Sequence, residues 1–146
     1  MRMNPNKINS HKISYPLIFM LFLTISCSSQ NQYESIAIIK YVDLNIMTPI
    51  DVSCDDFENL FGKQIESITI TNQKDFDFLL NSISGLSKDE NTKSADIRIK
   101  IKIKVNDIIN YVICLDRFHI IKNGNYYKMS PALMQFINKK IEEQQK

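Results

Sequence analysis

The chain has 146 residues, a formal charge of +2 at neutral pH, 44% hydrophobic residues, no Trp and only three Gly. That length holds a single core. Arg2, Lys7 and Lys12 precede the first acidic residue, Glu34, so subtracting those three charges from +2 leaves the rest of the chain at −1. A remainder this close to neutral carries no overall footprint for nucleic acid, and no glycine-rich loop is present to cradle a phosphate.

The first element is a leader. Arg2, Lys7 and Lys12 form a basic n-region, and the apolar run Leu17 to Ile25 is far shorter than the roughly 20 residues of a spanning helix. The run ends at Ser26-Cys27-Ser28-Ser29 and turns polar. This arrangement resembles the bacterial lipoprotein signal. The resemblance implies a diacylglycerol on the Cys27 thiol, with cleavage just before it. Thr24 stands where that pattern usually has Leu, with Leu23 one step back, and this looser form followed by serines resembles the signals of Bacteroidota-type lipoproteins. The alternative is an ordinary cleaved signal with an incidental cysteine. The lipoprotein reading divides the chain into a signal peptide (1–26), a polar tether (27–34) and one domain (35–146). Its partner is a membrane, because two or three acyl chains retain a protein that one would release. No Asp follows Cys27 and no acidic cluster does either. By the same resemblance, attachment is expected at the periplasmic leaflet of the outer membrane.

In the domain, "SIAIIKYVDL" (35–44) is β-branched and aromatic without a breaker, and reads as a strand. "VSCDDFENLFG" (52–62) has Ser53 followed by Asp56 in a capping-box-like start. Phe57, Leu60 and Phe61 share a face and Gly62 closes the segment, so a short helix is expected. "ESITITN" (66–72) alternates as a strand. Asn72 then caps a second helix with Phe76, Leu79, Leu80, Ile83 and Leu86 at helical spacing. Ser87 to Ser94 reads as a solvated loop. In "ADIRIKIKIKVN", Ile97, Ile99, Ile101, Ile103 and Val105 alternate with Arg98, Lys100, Lys102 and Lys104, so one face is buried and the other wet. A turn near Asn106-Asp107 leads into "IINYVICLDRFHIIK" (108–122), read as one strand. Asn123-Gly124 marks a two-residue hairpin, and Ser130-Pro131 opens a last helix with Leu133, Phe136, Ile137 and Ile141 on one side. The order β-α-β-α-β-β-β-α indicates an α+β two-layer sandwich, a mainly antiparallel sheet with helices on one face.

Few residues point to chemistry. His119 is the only histidine after the leader, and no nucleophile stands in a tight turn near it in sequence. Asp55, Asp56 and Glu58 lack the spaced oxygen donors and turning glycine of a cation loop, and suit a helix start. Cysteine and histidine do not cluster as zinc ligands. No metal, cofactor or catalytic residue is expected. Cys54 and Cys114 remain once Cys27 is acylated, and either a disulfide or two buried thiols fits them. Register bears on the choice. A two-residue turn at Asn106-Asp107 places Cys114 opposite Ile99 on the helix-facing side, whereas a three-residue turn places it among the lysines.

The stripe Arg98, Lys100, Lys102, Lys104 is the candidate binding surface, suited to an acidic envelope protein or the phosphates of an anionic glycolipid. The competing reading is a solvated face or an edge strand guarded by lysine. The expected function is a non-catalytic binding or scaffolding module of the cell envelope. The alternatives are a lipid-tethered inhibitor or immunity-type protein, and an enzyme whose site is a pocket around Asp116 and His119.

Overall fold

A computed structural model describes residues 35–106 and 108–146, and the leader with Cys27 lies outside these residues. Six strands form one antiparallel sheet: β1 (Ser35–Tyr41), β2 (Glu66–Ile70), β3 (Ile99–Val105), β4 (Ile108–Leu115), β5 (His119–Lys122) and β6 (Asn125–Lys128), in the order β2-β1-β3-β4-β5-β6. Three helices accompany them: α1 (Phe57–Phe61), which runs on into a 3-10 turn at Gly62–Gln64, α2 (Gln73–Ser84) and α3 (Pro131–Gln144). The fold is an α+β sandwich. The described residues belong to one compact unit.

The alternation along β3 sets the layers. Ile99, Ile101 and Ile103 are buried with Ala37, Ile39, Ile68, Ile70 and Ile113, against Phe76, Leu79 and Ile83 of α2 and Leu133 and Ile137 of α3. This is the main core, and the two long helices both cover it. Asn72 caps α2 by accepting hydrogen bonds from the backbone N–H of Lys74 and of Asp75, and Pro131 opens α3 where its missing N–H costs nothing.

The opposite face has its own smaller cluster. Phe57 and Phe61 of α1 pack with Val42, Val52, Ala95, Ile97 and Cys114. The Ser53 hydroxyl accepts from the Asp56 N–H and donates to the Asp56 carboxylate, starting the turn that leads into α1. Thus α1 lies over the lysine side of the sheet at its Lys40–Lys100 end, while α2 and α3 lie on the other side. The expectation of helices on one face holds for the two long helices and not for α1, which Phe57 and Phe61 draw to the smaller cluster.

Two features were not legible in the periodicity. The run 108–122 is two strands, so four strands and not three stand between α2 and α3. Asp116 makes the break: its Oδ1 accepts from the backbone N–H of Phe118 and of His119, folding the chain back on itself. The second feature is a bulge. Val105 lies opposite Ile108, as a two-residue turn requires, but Ile103 lies opposite Tyr111 and Lys104 opposite Ile109, which leaves Asn110 extra. The bulge moves the register by one residue, and Cys114 comes to lie opposite Lys100, not Ile99.

Both outer strands are short. Beyond β6, the segment Ser87–Asp89 pairs with it: Asp89 N–H donates to Tyr126 O, Lys128 N–H to Ser87 O, and Lys88 bridges Tyr127. At the other margin, the Gln144 carboxamide donates to Ser67 O on the five-residue β2.

Candidate binding surface

On the lysine side, register creates an electrostatic problem. Lys40 of β1 lies directly opposite Lys100 of β3, and Ile38 opposite Lys102, and like charges opposed across strands are destabilising. Glu58 of α1 resolves it. Its Oε1 accepts from Lys40 Nζ at 2.5 Å and from Lys102 Nζ at 2.9 Å, and its Oε2 lies 3.5 Å from Lys100 Nζ. Lys100 also donates to Cys54 O at 3.1 Å. Hydrogen bonds from Lys40 and then Lys102, with the charge of Lys100 behind them, outweigh the cost of partial burial and bring the Glu58 carboxyl down to about 2.

Arg98 leaves the stripe altogether. It is only 4% exposed and is paired with the Asp96 carboxylate. Its guanidinium donates further to Ile46 O and Thr48 Oγ1 and sits 5.3 Å from the centre of the Phe61 ring. Asp96 Oδ1 in turn accepts from the Val52 N–H. Arg98 is a pin for the 46–52 loop, made possible by its fork of donors.

The expected open row Arg98, Lys100, Lys102, Lys104 is therefore corrected. β3 is central in the sheet, not an edge. Arg98 and Lys100 are buried, Lys102 is drawn to Glu58, and Lys104 lies partly exposed near the hairpin tip. What stays open on this face is its other half, with Ile36, Ile38, Lys104, Ile109 and Val112 in adjoining positions on β1, β3 and β4. Tyr111, Ile113 and Leu115 fall opposite Ile103, Ile101 and Ile99, on the isoleucine side.

Cys54 and Cys114 form a disulfide, with Cα atoms 5.7 Å apart. It joins the turn before α1 to the middle of the sheet, on the lysine side, because the bulge turned Cys114 that way. Glu58 was readable in sequence only as part of an acidic helix start. Its role follows once Cys54 is held next to Lys100: the next helical turn must then lie over the cations.

Around His119, Asp116 Oδ2 lies 3.2 Å from Nδ1, and Asp89 Oδ2 lies 3.9 Å from Nε2. A cleft beside Asp116, of ≈ 190 Å³, is lined by Leu44, Ile46, Asp96, Arg98, Asp116, Arg117 and Phe118. Its charges are committed: Arg98 to Asp96, Asp116 to the turn, and Arg117 to Leu44 O and Asn45 Oδ1. Among the described residues no group of three or more His, Cys, Asp or Glu is arranged to hold a metal ion, and no helix is long and apolar enough to cross a membrane. No protein-family model, curated protein or solved structure matches the chain.

Proposed function

We propose that this chain is a lipid-anchored module of the bacterial cell envelope, held through Cys27 at the periplasmic leaflet of the outer membrane, that binds or scaffolds and carries out no catalysis. The Cys54–Cys114 disulfide is the observation that supports this reading most directly. Such bonds persist in oxidising compartments and are rare where thiols are kept reduced, so the bond agrees with a leader that resembles an export signal. The ionisable groups best placed for chemistry are bound up in holding loops and helices: Asp96 with Arg98, Asp116 with its turn, Glu58 with three lysines. A rigid sheet with one half-open face of mixed Ile, Val and Lys suits contact with another surface.

The test is metabolic lipid labelling with membrane fractionation, native chain beside Cys27→Ala. The expected result is label and outer-membrane recovery for the native chain, and loss of both in the variant. Native protein that is exported yet unlabelled and soluble overturns the reading.

A further inference from the structure

The β3–β4 hairpin tip is apolar on both sides. Ile108 is 69% exposed, Ile109 50%, Tyr111 46% and Val112 38%. Register puts Ile108 and Tyr111 on the isoleucine side and Ile109 and Val112 on the lysine side, so both surfaces of the hairpin end carry exposed apolar side chains. Cations flank them. Lys104 lies opposite Ile109, and Lys122 Nζ stands 5.6 Å from the centre of the Tyr111 ring.

The chain enters the domain at this same end. Ser35, the first residue of β1, lies opposite Val105, and Val105 lies opposite Ile108. Cys27 precedes Ser35 by 35 − 27 = 8 residues, at most about 29 Å of fully extended chain. The Ile99 end of β3 is about 20 Å further along the strand. An anchor on Cys27 therefore joins the sheet at its hairpin end and leaves the tip within tether reach of the bilayer.

We propose that the β3–β4 hairpin tip is a second membrane contact, lying at headgroup depth on an anionic lipid surface. The proposal rests on the lipid-anchor reading above. Tyrosine favours the membrane–water interface, where its ring is apolar and its hydroxyl wet, and lysines beside it are drawn to anionic headgroups. The polar Asn106 at the turn suits a shallow contact in which Ile108, Ile109 and Val112 reach the acyl boundary. Contact at this end fixes the orientation of the domain, with the Asp116–Phe118 turn directed away from the bilayer.

The chain contains no Trp, so one substitution gives a unique fluorophore. Full-length protein matured and lipidated in the envelope, carrying Tyr111→Trp or, as the distal control, Phe118→Trp, is placed in vesicles of phosphatidylcholine and phosphatidylglycerol with brominated acyl chains. Acyl label on Cys27 is measured on the same sample, and the intact disulfide and circular dichroism report folding. The expected result is a blue shift and loss of emission for Tyr111→Trp and neither for Phe118→Trp. Adding Lys104→Glu and Lys122→Glu, or omitting phosphatidylglycerol, restores emission. Labelled, folded protein whose Tyr111→Trp emission is unquenched, or quenched no more than the Phe118→Trp control, overturns the contact and leaves the anchor standing. Absence of label overturns the anchor and the contact with it.

Discussion

Glu58 is the residue on which the lysine side of the sheet depends. Three ammonium groups meet one carboxylate that is about two-thirds covered, so Glu58→Gln leaves Lys40, Lys100 and Lys102 facing one another without a counter-ion. The expected loss, discounted for partial exposure, is about 1–2 kcal/mol in denaturant unfolding at neutral pH. The carboxyl is lowered from its ordinary value of 4.5 to about 2 in the folded protein. A lowered pKa means that the stabilisation is complete above 4.5 and drains away as pH falls from there toward 2. Native protein should thus lose stability across that window more steeply than Glu58→Gln, measured as unfolding midpoint against pH; parallel profiles would remove Glu58 from the account. The same geometry warns against Lys100→Glu with Lys102→Glu as a probe of binding. That pair would set three carboxylates together and unfold the region before any partner could be tested. Residue-scale roles of this kind were poorly legible in sequence, because Glu58 and Lys102 are 44 positions apart and only the register between strands brings them together.

At the scale of elements, much was legible. β-Branched and aromatic content without a breaker located β1, period-two alternation located β2 and β3, and helical spacing with Asn72 and Ser130-Pro131 located α2 and α3, because local propensity and burial point the same way there. What escaped were two departures from regularity in the run 108–122. Asp116 interrupts a run whose side chains otherwise suit a strand, and a strand of the length read there would have been well beyond the usual five or six residues. The bulge at Asn110 left no mark on the pattern, since Ile108, Ile109, Tyr111, Val112 and Ile113 are all strand formers whichever way they face. Deleting Asn110 provides a direct check. Pairing on both sides of the bulge is already in step without it, so the shortened chain should keep Cys114 opposite Lys100 and show no free thiol at Cys54 or Cys114 by thiol titration. New thiol reactivity at those two positions would mean that the extra residue does more than fill a bulge.

For the whole molecule, the disulfide ties the smaller cluster under α1 to the sheet that carries the main core. The bridged cysteines are 60 residues apart, and a loop of that size restricts the unfolded chain by about 4 kcal/mol in the entropy model. Reduction, or Cys54→Ser with Cys114→Ser, should lower unfolding free energy by that order, measured by denaturant titration with and without reductant. A change well under 1 kcal/mol would show that the reduced unfolded chain is already compact. The margins of the sheet have a different consequence. Ser87–Asp89 occupies the outer side of β6, and the five-residue β2 carries a side-chain cap at Ser67 O. A sheet closed in this way offers little template for another strand. Copies brought side by side on one surface by the proposed anchor would therefore crowd and slide past each other without zipping into a continuous ribbon, and such a layer would stay fluid.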